Sequence, residues 1–117
     1  MHSTQYDAVV IGAGMAGGFL SRALAQAGWK TAVIERVHVG GTCVNEGCSP
    51  TKTMIANARV AYLARRGADY GVVHTAPITI DMSKVRHRKR AIVENFRSFV
   101  QDSIDTSDGV DLLSFTC

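Results

Sequence analysis

Apolar residues change period along the chain, and each change marks an element. The run Tyr6 to Ile11 is short, β-branched and ends at a glycine, which predicts a strand buried on both faces. Residues 16–27, rich in alanine and leucine, predict a helix stopped by Gly28. Thr31 to Ile34 then reads as a second, parallel strand with Glu35 at its carboxyl end. Ser49-Pro50 has the chemistry of an N-cap followed by proline at the first helical position. Beyond it Met54, Ala58, Ala61, Tyr62 and Arg65 recur at helical spacing up to a stop near Gly67. A connection over 69–80 carries turn chemistry at Gly71 and Pro77, and Asp81 is an N-cap for a second helix. Along that helix Val85, Ile92, Val93, Phe96, Phe99 and Val100 form one apolar face, so the two helices are expected to pair as a hairpin over 50–105. Asp108-Gly109 turns into a short third strand at 110–113. The pattern is α/β: a Rossmann-like βαβ unit over 5–36 with a parallel sheet, plus a helical hairpin.

Between the first strand and the first helix stands Gly12-Ala13-Gly14-Met15-Ala16-Gly17, the G-x-G-x-x-G arrangement in the context it requires. Gly12 permits the tight turn, Gly14 lets backbone approach a pyrophosphate, and Gly17 allows helix and strand to pack closely. Glu35 follows Gly14 by about 20 residues, the spacing at which an acid accepts hydrogen bonds from a ribose. A carboxylate there repels a 2′-phosphate, so the site fits FAD or NAD and not NADP. The alternative is a strand–turn–helix without a ligand.

The chain has 117 residues, 46% apolar and 20% charged, which sets a single globular domain. No basic segment precedes an apolar run at the amino terminus, and the first apolar stretch is broken by glycines, so neither a signal peptide nor a membrane span is expected. Three cysteines in that setting suit a reducing, cytoplasmic compartment. A net charge of +3 is modest, and its main concentration, Lys84 to Arg90, has no interleaved aromatic residue. That run reads as a solvated helix face and gives no reason to expect nucleic acid.

Cys43 and Cys48 lie between Gly40-Gly41 and a helix start. In a helical turn, residues five apart approach closely enough for a small-ring disulfide near a positive helix end, which lowers a thiol's pKa. An inert bridge or two buried thiols would satisfy the same spacing. Zinc would need four ligands, and Cys117 with the scattered His2, His38, His74 and His87 provides no second ligand pair, so no metal site is expected.

The run Gly40 to Lys52, GGTCVNEGCSPTK, resembles the active-site segment of the pyridine nucleotide-disulfide oxidoreductases, flavoenzymes that include dihydrolipoamide dehydrogenase, glutathione reductase and mercuric reductase. Together with the glycine fingerprint, the resemblance extends to about Leu113. It implies FAD, with Gly12, Gly14, Gly17 and Glu35 at its ADP half, Gly41 and Thr42 along the cofactor, and Lys52 beside the flavin ring. It implies that hydride passes from NAD(P)H to the flavin and then to a disulfide, with Cys48 the sulfur next to the flavin and Cys43 the interchange thiol that attacks a small-molecule or disulfide substrate. Ser21 departs from the alanine usual in the family's fingerprint but is small enough to fit. Family members are homodimers several times longer, and their acid–base histidine comes from a carboxyl-terminal domain that none of the four histidines here matches. The resemblance thus implies an incomplete domain: residues 1–117 as the amino-terminal part of the FAD-binding domain, with the redox segment at 40–53, inactive alone. A non-catalytic dinucleotide-binding module and an inert fragment that associates through exposed surfaces are the competing readings. Residues 68–72 lean toward the mercuric reductase-like and dihydrolipoamide dehydrogenase-like branches, and the single Cys117 has no expected catalytic role.

Overall fold

The computed structural model describes residues 3–115, so Met1, His2, Thr116 and Cys117 lie outside the described residues. Strand β1 (Ala8–Ile11) leads into helix α1 (Met15–Gln26) and strand β2 (Thr31–Glu35). A short helix α2 (Gly41–Asn45) and the long α3 (Cys48–Arg65) follow, then a single 3-10 segment (Gly67–Tyr70), α4 (Met82–Asp105) and strand β3 (Val110–Ser114). The sheet is parallel throughout in the order β1-β2-β3, with Val10 beside Val33 and Val33 beside Leu112. The expected α/β class, parallel sheet and paired helices are all present.

Those three register partners share one face, and that face holds the core. Val33 and Ile104 are fully buried there with Ala13 and Val39, and Val10, Val100, Val110 and Leu112 pack around them. Helix α1 joins the same face, because a Cβ on Gly17 would lie 3.2 Å from Val10 Cγ1. Right-handed crossovers that advance in one direction across a parallel sheet place their helices on one side. The opposite face is uncovered at its β1 edge, although Ala32 in the central strand is buried. Val9 is 56% and Ile11 85% exposed, so the expectation that β1 is buried on both faces is corrected: nothing covers its second side. β1 is also shorter than the run Tyr6 to Ile11; Tyr6, ahead of it, donates its hydroxyl to Asp111 Oδ2 at 2.8 Å.

The expected cap of α3 is also corrected. The helix begins at Cys48 with Gly47 as N-cap, and Ser49 and Pro50 lie inside the first turn. The Thr51 amide donates to Gly47 O, so the ladder opens two residues before Ser49 could cap it. Asp81 does cap α4, its Oδ1 accepting from the amides of Ser83 at 2.9 Å and Lys84 at 3.1 Å. Helices α3 and α4 pack together, joined by Arg88 Nη1 donating to Asn57 Oδ1 at 3.2 Å. Much of their apolar stripe still faces solvent, including Met54, Tyr62, Phe96 and Phe99.

Candidate functional site

The glycine loop is built around contacts that exclude a Cβ. One placed on Gly17 would come within 1.8 Å of Gly12 O, so α1 can approach β1 this closely only with glycine there. Gly14 is the N-cap of α1 and no side chain caps that end, so its first-turn amides have no side-chain acceptor. Ser21, in the position noted above, is fully buried on α1 and donates its hydroxyl to Gly18 O at 3.1 Å, so the departure is accommodated without an unpaired polar group.

Glu35 ties this loop to the exit of β2. Its Oε2 accepts from the Ala13 amide at 2.9 Å and its Oε1 from the Val37 amide at 2.8 Å. Partial burial pushes its carboxyl up, but hydrogen bonds from the amides of Val37, Ala13, Arg36 and His38 outweigh burial and hold it below the usual glutamate range. It is thus ionised at neutral pH, and it lines a cleft of about 220 Å³ with Arg36, His38, Gly41 and Thr42.

The cysteine turn is fastened directly to the glycine loop. The Gly40 amide donates to Ala13 O at 2.7 Å. Gly41, at φ +58°, lies so close to Gly14 that a Cβ on it would meet Gly14 Cα at 2.8 Å. Cys43 stands in the middle of α2 and Cys48 opens α3, with only Glu46 and Gly47 between the helices. The expectation that both sulfurs share one helical turn is corrected, because the amides of Glu46 and Gly47 both donate to Thr42 O and close α2 before α3 begins. Cys43 and Cys48 are free thiols, the first half-buried and the second exposed.

The electrostatics at Cys43 also differ from expectation. Hydrogen bonding to the Cys48 sulfur, then burial, hold the Cys43 thiol above its ordinary range, outweighing the Cys48 backbone amide and the positive charge of Lys52, which act to lower it. The neighbouring sulfur dominates over any helix end. Both cysteines and Lys52 line a mainly apolar cleft of about 570 Å³ with Met15, Phe19 and Phe96.

The sequence-derived residues thus fall into two adjoining groups. Glu35, Gly41 and Thr42 share the polar cleft, and Cys43, Cys48 and Lys52 share the apolar one. Gly12 and Gly17 support the loop from behind. The basic run on α4 is a solvent-facing surface apart from half-buried Lys89 and the Arg88 contact. Among the described residues no cluster of three or more metal-binding side chains occurs, and no helix is long and apolar enough to cross a membrane.

Sequence reasoning missed Asn45 and Arg97. Arg97 Nε donates to Asn45 Oδ1 at 2.8 Å, while Asn45 Nδ2 donates to Val39 O and Gly41 O. An asparagine between two cysteines was a usable signal for a local backbone clamp; its partner on α4 was not marked by any pattern.

Comparison with known proteins agrees with this arrangement. Residues 6–112 match the family described as pyridine nucleotide-disulphide oxidoreductase. A dihydrolipoyl dehydrogenase of Bacillus subtilis (strain 168) is 39% identical over 98 residues, 84% of this chain and 20% of that protein. One from Acholeplasma laidlawii is 34% identical over 110 residues, 94% of this chain and 32% of that protein. Among solved structures, the HOCl-induced flavoprotein disulfide reductase RclA from Escherichia coli superposes with a TM-score of 0.74 at 32% identity, over 93% of this chain and 21% of that one. Its Cu(II) complex gives 0.77 at 31% identity. The chain therefore spans between a fifth and a third of the length of these curated relatives.

Proposed function

Since the chain belongs to the pyridine nucleotide-disulphide oxidoreductase family, we propose that it forms the FAD-binding and redox-disulfide portion of a flavoprotein disulfide reductase, taking electrons from NAD(P)H and passing them through a Cys43–Cys48 disulfide to a small-molecule or disulfide substrate. The observation that carries this reading is the direct fastening of the glycine loop to the cysteine turn, through Gly40 N to Ala13 O and the close approach of Gly41 to Gly14. That contact makes the dinucleotide candidate site and the thiols one structural unit.

The residues present fit the cofactor. The uncapped start of α1 offers amides for a pyrophosphate, and ionised Glu35 can accept from ribose hydroxyls while still holding the loop. Bound FAD would supply two-electron chemistry that no side chain here can perform. Lys52 would place a cation where negative charge develops. Cys48, the more exposed sulfur at the start of α3, would stand beside the cofactor, and Cys43 would attack the substrate. Its raised thiol pKa sets a task for the bound state: that thiolate must be favoured by the cofactor, the substrate or an added base.

By itself the 117-residue chain is proposed to be inactive, in keeping with the bare sheet face and the exposed helix stripe. The same exposure favours a second reading, an inert piece that self-associates. Visible absorption of the purified chain, taken after adding FAD and desalting, separates the two. Retained flavin bands, lost in Glu35→Ala, are the expected result. Absence of flavin from a monomeric, folded chain would overturn the claim that these residues form an FAD site.

A further inference from the structure

Asn45 stands between the two cysteines and closes α2. Its amide is engaged on every side: Nδ2 donates to Val39 O at 3.0 Å and to Gly41 O at 2.8 Å, and Oδ1 accepts from Arg97 Nε at 2.8 Å. An arginine can only donate, so the amide oxygen must face α4 and the nitrogen must face the two carbonyls. The three bonds join the end of α2 to the loop that enters it and to a helix 52 residues further along. Arg97 belongs to neither of the two ion pairs among the described residues, and its half-buried guanidinium serves a neutral amide in place of a carboxylate.

What it fixes is the turn that carries both sulfurs. Cys43 precedes Asn45 by two residues and Cys48 follows it by three. Alongside the bonds at Gly40, the packing of Gly41 on Gly14 and the burial of Val44, the Asn45–Arg97 bond is the side-chain tie between the far end of α2 and α4. We propose that Arg97 is a positioning residue for the thiols, acting through Asn45 to hold the α2 turn so that Cys43 and Cys48 can close on one another. The proposal rests on the redox-pair reading above. Holding the turn raises the effective concentration of one sulfur at the other, which stabilises the disulfide relative to the dithiol.

The test is the equilibrium of the purified chain with mixtures of glutathione and glutathione disulfide. Cys43 and Cys48 form one S–S bond and give up two electrons and two protons, and one glutathione disulfide is reduced to two glutathione molecules. Arg97→Leu is expected to move this constant about tenfold toward the dithiol, the change that follows from losing a hydrogen bond to a charged donor. Arg97→Lys, which keeps a charged donor on a similar stem, is expected to recover part of the shift. If leucine prevents folding, Asn45→Ala carries the same test, since it removes the acceptor through which Arg97 acts; a shift in the same direction is expected. An arginine that merely supports the fold would lower the unfolding midpoint and leave the constant unchanged, and that result in either folded variant overturns the proposal. A parent chain that forms no intramolecular disulfide at any glutathione ratio would instead overturn the redox-pair reading, and this inference with it.

Discussion

The βαβ unit and the helix pair were equally visible as patterns, yet they are completed to different degrees. In β1–α1–β2 the face toward the core meets its partners: Val33 and Ala13 are fully buried, and so is Ser21 on α1. Along α3 and α4, by contrast, Val60 is 68% and Phe99 69% exposed, and the Nδ2 of Asn57 is buried without a partner among the described residues. An amphipathic stripe says that a surface must be covered and nothing about what covers it. The glycine loop works differently, because its partners are all present: Gly12 O lies against Gly17, Glu35 accepts from the Ala13 amide, and the Gly40 amide donates to Ala13 O.

Four changes would break or sharpen that contrast. The largest effect is expected from Gly17→Ala, whose Cβ would strike Gly12 O at 1.8 Å. Chemical denaturation is expected to show a loss of about 3 kcal/mol or more, at the upper end for overpacking because backbone cannot yield. A loss below about 1 kcal/mol would mean that the loop tolerates a shift of α1.

Glu35→Ala should follow, costing about 2 kcal/mol for the loss of hydrogen bonds to a charged acceptor, discounted for partial exposure. The effect has a pH signature. Because the folded carboxyl titrates below the ordinary 4.5, the stability it contributes is present above that value and is lost as pH falls through the lower, folded one. The Glu35→Ala variant should therefore show a flatter acid limb in its stability profile, and identical acid limbs would mean that the carboxylate holds nothing.

The thiols give a third measure. Alkylation of Cys43 should reach half its limiting rate above pH 9.0, the ordinary thiol value, since the folded state favours the neutral form. In Cys48→Ala the chief cause of that shift is gone, so the midpoint should move down. An unmoved midpoint would assign the shift to burial.

The smallest change belongs to the helix pair. Asp81→Ala removes the acceptor of two amides at the start of α4 and should cost about 1 kcal/mol. Hydrogen exchange is expected to quicken at Ser83 and Lys84 and to leave Val33 unaffected. Equal quickening in β2 would show that the helix pair and the βαβ unit open together.

The sequence by itself determined the three strands, the three longer helices and their order, the glycine loop, the placing of Glu35 at a strand end and the cap at Asp81. Each depends on backbone conformation or on a hydrogen bond spanning a few residues, and short windows encode such requirements. Tertiary structure alone decided the rest. Both crossovers lie on one side of the sheet, which leaves Val9 and Ile11 bare. The start of α3 moved to Cys48 because Thr42 O closes α2 against it. The Cys43 thiol was raised by the sulfur it faces, and Asn45 found its partner on α4. These outcomes depend on which groups meet once the chain has closed on itself, and a group 52 residues away leaves no periodicity for a local pattern to carry.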